Sequence, residues 1–207
     1  MARKRDHLAF LREANQLLSL LSGDDPDAFL QKIVHLLTTH IRSDVASIYL
    51  YDKASGELEL RSTRGLAPNS VGHVHLHLGE GLVGHVLDTL EPLREHKASR
   101  NPMFKHIVGI NEEPYESFLA VPVHRGAERL GVLVAQRREE DYFGTHDALA
   151  MQALASQLAI ALDNAQLLKK EPAHRPGTKH PPRMEKGRIV VPGSAFGPAV
   201  HIDTVHT

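Results

Sequence analysis

The sequence contains no cysteine. This absence excludes disulfide bonds, thiolate zinc sites, iron–sulfur clusters and a thioether link to a cofactor. A strong net charge is also missing, because 24 basic and 25 acidic residues leave a formal charge of −1. No global electric field therefore attracts nucleic acid or anionic lipid, and we expect neither as a partner.

Long apolar runs are missing as well. No segment approaches the ~20 apolar residues that cross a membrane. The basic start, residues 1–5, runs into an amphipathic helix pattern rather than a signal-peptide core. We therefore expect a cytoplasmic protein without a membrane anchor. Its 207 residues, 42% of them hydrophobic, suffice for one sizeable domain and a smaller segment.

Apolar residues recur at helical spacing near both ends of this domain. One stripe predicts a helix over residues 6–22, and Pro26 at a first helical position predicts the start of a second. A long helix is predicted from Thr145 to about Lys170. Its apolar residues form a heptad seam, which predicts packing against the first helix and a partner chain; they are Met151, Leu154, Leu158, Ala161, Ala165 and Leu168.

Strand patterns fill the middle of the chain. They predict strands at residues 44–51, 57–63, 73–78, 117–124 and 128–137. The last two are apolar on both faces, as is typical of strands inside a covered sheet. Residues 81–90 read as a short helix, and residues 91–114 read as an irregular loop.

The composition changes after the long helix. Residues 171–187 hold four prolines and two glycines, which predicts a linker. Residues 188–207 again look like strand and turn, and we interpret them as the start of a second domain.

Residues 73–84, HVHLHLGEGLVG, suggest two kinds of site. His73, His75 and His77 share one strand face and could supply metal ligands, but a third ligand and a second shell are needed. We favour a solvated face with Val74 and Leu76 turned inward.

The second half, residues 79–84, satisfies the G-x-G-x-x-G pattern of dinucleotide-binding loops. It follows an antiparallel hairpin, and no acidic residue stands where a ribose contact is expected. We therefore favour a backbone role for these glycines in a tight strand-to-helix turn. The helix start at Gly81 could still favour an anionic group of a small ligand.

The order of elements resembles a GAF domain. The resemblance covers residues 5–170 and is carried by LGEGLVG at 78–84, SFLAVPV at 117–123, LGVLVAQ at 130–136 and the helix at 150–159. It implies an α+β fold of the GAF/PAS type. Such a fold has a central antiparallel sheet of about six strands, helices on both faces, and terminal helices packed as a bundle.

A narrower resemblance is to the GAF domain of nitrogen-type Enzyme I. It rests on NPMFK at 101–105, on RRE at 137–139, and on GRIVVPGSAFGPA at 187–199, which is similar to the opening of Enzyme I proper. It implies a parent phosphoenolpyruvate–protein phosphotransferase, dependent on Mg²⁺ and phosphoenolpyruvate, that phosphorylates a phosphocarrier protein. The family's T-S-H-A segment around the phosphorylated histidine does not occur in this sequence. We therefore expect a regulatory fragment without catalytic residues or a cofactor of its own.

GAF domains generally bind a small molecule between the sheet and its helix–loop cover, or serve as dimerisation modules. Without cysteine a covalently held bilin is excluded, and the signature of cyclic-nucleotide GAF domains is not visible. In the resembled group the usual effector is glutamine. We expect it to order residues 91–114 and shift the packing of the first and last helices.

We predict a ligand pocket on the polar face of the first strand, with an arginine for a carboxylate. The candidate lining residues are Ser47, Tyr49, Leu82, Val86, Arg100, Tyr115, Ser117 and Phe118. Two alternatives stay open, a ligand-free homodimerisation module built on the first and last helices and a metal-binding protein using the histidine strand. A reductase of this fold is excluded, because that chemistry needs cysteine.

Overall fold

A computed structural model describes residues 6–19, 26–105, 115–170, 183–185 and 188–190. The chain divides into two units, Met1–Lys170 and Glu171–Thr207. In the second, the short strands β7 (Arg183–Glu185) and β8 (Arg188–Val190) pair antiparallel. The predicted linker and second-domain start fall mostly outside the described residues, and those domain boundaries stay a prediction.

The described part of the first unit contains one antiparallel sheet of six strands. The strands are β1 (Val45–Asp52), β2 (Glu57–Arg64), β3 (His75–His77), β4 (Leu93–Glu95), β5 (Ser117–Arg125) and β6 (Glu128–Arg137). Their order across the sheet is β3-β2-β1-β6-β5-β4. The two doubly apolar strands, β5 and β6, lie inside the sheet as predicted, and both are buried along most of their length.

Within the described ranges, four helices cover the two faces of this sheet. They are α1 (His7–Ser19), α2 (Pro26–His40), α3 (Gly81–Thr89) and α4 (Thr145–Lys170). Helices α1, α2 and α4 share one hydrophobic core with one face of the sheet, while α3 packs in a second core on the other face. The predicted α+β architecture, with helices on both faces and the terminal helices packed together, is confirmed.

Two strand predictions need correction. The segment predicted as an irregular loop contains β4, which pairs with β5 through Leu93 and Ala120. Its three residues carry no strand pattern of their own, so the pairing comes from the neighbouring strand edge. Strand β3 is also shorter than predicted, because only His75–His77 pairs with β2. Residues 106–114 of the predicted loop lie outside the described part, as do residues 20–22 of the predicted first helix.

The first three residues of the predicted heptad seam of α4 face inward, and the side chains of its last two lie outside the described part. Met151, Leu154 and Leu158 are fully buried in the core that α4 shares with α1 and α2. The predicted packing against the first helix is thus confirmed, but these side chains leave no surface for a partner chain. Among the described side chains of α4, the exposed large apolar residues are Leu149 and Ile160, at 58% and 60% exposure. Among the described residues, no helix is both long enough and apolar enough to cross a membrane.

Candidate functional site

The histidine strand lies at one edge of the sheet with its imidazoles in solvent. His75 and His77 are exposed, whereas Val74 and Leu76 are buried against α3, as the alternation predicts. Glu57 on β2 faces both rings, with its carboxylate oxygens 3.6 Å from His75 Nδ1 and 3.8 Å from His77 Nε2. Within the described parts of the chain, no three histidine or acidic side chains are grouped closely enough to hold a metal ion.

The glycines of the GEGLVG turn have backbone roles. Gly79 and Gly81 have φ angles of +76° and +63°, a backbone conformation that residues other than glycine rarely adopt. Gly84 lies so close to β3 that a Cβ atom there would stand 2.3 Å from the carbonyl oxygen of His77. These glycines let the chain turn sharply from β3 into α3 and press the helix onto the sheet. The following strand, β4, is antiparallel to its neighbour, so the turn does not open a Rossmann unit.

A small cavity lies between this turn and the sheet. Its volume is about 20 Å³, which is room for about one water molecule. The walls come from β1, β3, β5, α3 and the segment before residue 106. The lining residues are Tyr49, Leu76, Gly81, Leu82, Val83, Phe104, Lys105 and Phe118.

The structure gathers five of the eight predicted pocket residues in the core on the α3 side. Tyr49, Leu82 and Phe118 line the cavity. Val86 and Tyr115 are buried in the same core without reaching the cavity wall, and the Tyr115 hydroxyl donates to the Gly65 carbonyl at 3.4 Å.

The remaining three predicted residues do not reach the cavity. Ser47 is on the same face of β1 as Tyr49, but it is buried and its hydroxyl is hydrogen-bonded to Thr63 at 2.8 Å. Ser117 turns to the opposite face, where its hydroxyl accepts a hydrogen bond from the Tyr142 N–H at 2.8 Å. Arg100 ends a short 3₁₀ turn, and its side chain is exposed.

The prediction missed a segment that covers the cavity, residues 101–105, which we call the strap. Asn101 anchors the strap to β4, because its amide donates to Glu95 at 2.8 Å. The Asn101 side-chain oxygen accepts the Met103 N–H at 2.8 Å, and the Asn101 carbonyl accepts the Phe104 N–H at 2.9 Å. The resulting turn brings Phe104 and Lys105 to the cavity.

Glu80 joins the strap to the start of α3. Its carboxylate accepts the His77 N–H at 2.7 Å and forms an ion pair with Lys105. The hydrogen bond from Lys105 holds the pKa of Glu80 below its ordinary value, and the His77 N–H acts in the same direction. Gly81 makes the close approach possible, since a Cβ atom there would stand 3.2 Å from Lys105 Cβ.

The prediction also missed two other lining residues, Leu76 and Val83, although the sequence contained a partial signal for both. Leu76 alternates inward on its strand, and Val83 follows Leu82 on the helix that the glycine turn opens. The strap is different, because nothing in the order of Asn101, Phe104 and Lys105 indicates that they fold back over α3. Only the turn made by Asn101 brings them there.

Comparison with known proteins places this arrangement in a family. The family model for the GAF domain matches residues 23–163. The chain is 34% identical over 142 residues to an Escherichia coli K12 protein described as phosphoenolpyruvate-dependent phosphotransferase system, covering 67% of this chain and 19% of that protein. It is 27% identical over 138 residues to the nitrogen fixation protein VnfA of Azotobacter vinelandii, covering 65% of this chain and 26% of VnfA. The chain thus spans about a fifth to a quarter of the length of these curated relatives.

A solved structure gives the same result at domain level. It is the GAF domain of a phosphoenolpyruvate–protein phosphotransferase (ptsP) from Coxiella burnetii, with 31% identity and a TM-score of 0.73. The match covers 79% of this chain and 96% of that domain. The chain therefore belongs to the GAF domain family and is related to the GAF domains of phosphoenolpyruvate–protein phosphotransferases.

Proposed function

We propose that this chain is the regulatory, ligand-sensing part of a phosphoenolpyruvate–protein phosphotransferase. The observation that carries the proposal is the cavity beneath α3, lined by six apolar or aromatic side chains with Gly81 and one cation. Sites for small molecules are typically apolar with a few placed polar groups. The relation to phosphotransferase GAF domains supports the assignment of the parent.

In this proposal the parent carries out the chemistry. It would use Mg²⁺ and phosphoenolpyruvate and pass the phosphoryl group to a phosphocarrier protein. The GAF domain would set how readily the parent phosphorylates itself. Glutamine, which the resemblance implies, is the first candidate effector.

Ligand binding must widen the cavity, because about 20 Å³ cannot hold an amino acid. A ligand shifts a conformational equilibrium only if it binds one state better than the other. The two states that we propose differ in the strap, which either closes the cavity with Phe104 or stands away from it. The strap is tied to β4, and β4 pairs with β5, on which α4 packs. A conformational change at the strap could thereby reach α4 through a continuous series of contacts.

A ligand-free dimerisation module is the second candidate function. The small volume of the cavity favours it, since side chains nearly fill the space. Here and in the sensor proposal, a homodimer would form through the outward face of the terminal helices. Its exposed large apolar residues, among the side chains that the structure describes, are Leu8 on α1 and Leu149 and Ile160 on α4, with 76%, 58% and 60% exposure.

Calorimetric titration separates the two candidates. Glutamine should give saturable heat with one site per chain, whereas glutamate and 2-oxoglutarate serve as matched controls of similar length. In the variant Val83→Phe, the added ring should fill the cavity and abolish the heat. Heat that persists in Val83→Phe would place the site elsewhere. Silence from all three compounds would favour the dimerisation module.

A further inference from the structure

The described lining of the cavity beneath α3 contains one charged side chain, and its charge is positive. Among the described residues that line it, Lys105 alone has a formal charge, and the others are apolar, aromatic or glycine. Arg100, the arginine predicted for this pocket, is exposed and does not line the cavity. A ligand in this cavity therefore meets an apolar surface and a single ammonium group.

The charge on Lys105 is balanced by a carboxylate of the protein itself. Glu80 pairs with it, and the two side chains are 29% and 46% exposed, respectively. Ion pairs with this degree of exposure contribute little to stability, because water competes for both charges. Lys105 can therefore exchange Glu80 for another carboxylate at a small cost in free energy.

Glu80 also has a second partner. Its other carboxylate oxygen accepts the His77 N–H at 2.7 Å, a bond that does not depend on Lys105. If Lys105 leaves, the Glu80 carboxylate stays hydrogen-bonded and partly hydrated. Breaking the pair thus leaves no buried, unpaired charge on the protein side.

We infer that the effector of this cavity carries a carboxylate that takes the place of Glu80 on Lys105. The apolar part of the same molecule would lie against Tyr49, Leu82 and Phe118, which line the cavity. Charge-assisted hydrogen bonds between an ammonium and a carboxylate are stronger than neutral ones, and more so in an apolar site. This inference rests on the proposed sensing function and adds to it the chemical class of the ligand and the residue that recognises it.

Recognition through Lys105 would couple the ligand directly to the strap. Lys105 directly follows Phe104, and both contact the cavity. A carboxylate bound by Lys105 therefore holds the end of the strap in a new position, whereas Glu80 holds it in the closed one. The ligand and Glu80 compete for one cation.

Matched pairs of acids and amides test this inference. The probes are 4-methylpentanoate with 4-methylpentanamide, phenylacetate with phenylacetamide, and L-glutamine with its α-amide, measured by ligand-observed NMR and calorimetry. We expect each acid that binds to do so at least about tenfold more tightly than its amide, an ordinary contribution for a charged hydrogen bond. Lys105→Met should remove this preference, and Lys105→Arg should retain it. Glu80→Gln should raise the affinity for the acids severalfold, because the internal competitor is gone.

Lys97→Met is the matched control. Lys97 forms a similar ion pair with Glu140, but neither residue lines the cavity. Its loss should leave the affinities for acids and amides unchanged. Amides that bind as tightly as acids, with no effect of Lys105→Met, would overturn the inference and leave the sensing function standing. If neither acids nor amides bind, the sensing function fails and the inference fails with it.

Discussion

Gly84→Ala should lower the free energy of unfolding by about 3 kcal/mol, the upper range for inserting a methyl group into a packed site. In most helices the same change is stabilising, because alanine is the better helix former. Here the new Cβ atom would stand 2.3 Å from the backbone carbonyl of His77. Backbone cannot move aside as a flexible side chain can, so α3 must shift away from β3.

Gly144→Ala is the matched control for this substitution. Gly144 has no positive φ, and the nearest atom to an added Cβ is 3.8 Å away, an ordinary contact. This variant should be unchanged or up to about 1 kcal/mol more stable. Chemical denaturation followed by circular dichroism measures both. Equal stability of Gly84→Ala and the wild type would show that α3 does not need its close approach to β3.

Leu158→Asp should prevent folding, whereas Ile160→Asp, two residues further along α4, should leave the fold intact. Leu158 is fully buried in the core between α4, α1 and the sheet, and Ile160 is 60% exposed. Removing a buried leucine side chain costs about 2–5 kcal/mol even without a charge. A buried carboxylate adds to that cost, and the sum is comparable with the whole stability of a domain, about 5–15 kcal/mol. An exposed substitution stays within about 0.5 kcal/mol.

The same pair of variants tests the proposed homodimer. Thermal melting reports the fold, and sedimentation velocity reports the mass in solution. We expect the wild type to be dimeric and Ile160→Asp to be a folded monomer. A folded Leu158→Asp protein would contradict the burial of the α4 seam. A dimer that survives in Ile160→Asp, or a monomeric wild type, would contradict the outward face as the interface.

Sequence patterns predicted the framework of the fold because its strands and helices obey simple periodicities. Strands β5 and β6 were predicted within one residue of their ends, since both are apolar on two faces and flanked by polar turns. Strand β4 escaped prediction because Leu93, Arg94 and Glu95 carry no alternation. Its structure depends on pairing with β5, a contact distant in the sequence.

In strand β2, a local irregularity interrupts the alternation of inward-facing and outward-facing side chains. Ser62 is paired with Ile48, whereas Leu60 is paired with Tyr49, so Arg61 is an extra residue that forms a bulge. Because of the bulge, Leu60 lies in the core on the α3 side, whereas Ser62, two residues later, is paired with Ile48 of the opposite core. Nothing in the sequence marks the position of this bulge.

Only part of the candidate site could be predicted from the sequence. Ser117 and Phe118 were both assigned to the pocket, but neighbours on a strand point to opposite faces, so one of them had to be wrong. That error could have been avoided from alternation alone. Lys105 could not have been found, because its place at the cavity depends on the turn that Asn101 makes and on the absence of a side chain at Gly81.

The central claim is that a small molecule binds on the α3 side of the sheet. Amide chemical shifts of ¹⁵N-labelled protein, followed during titration with glutamine, test it most directly. The account predicts shift changes that saturate and are concentrated at the cavity, at Leu76, Leu82, Phe104, Lys105 and Phe118. Changes confined to α1 and α4, or a spectrum that glutamine, glutamate and 2-oxoglutarate all leave unaltered, would contradict it.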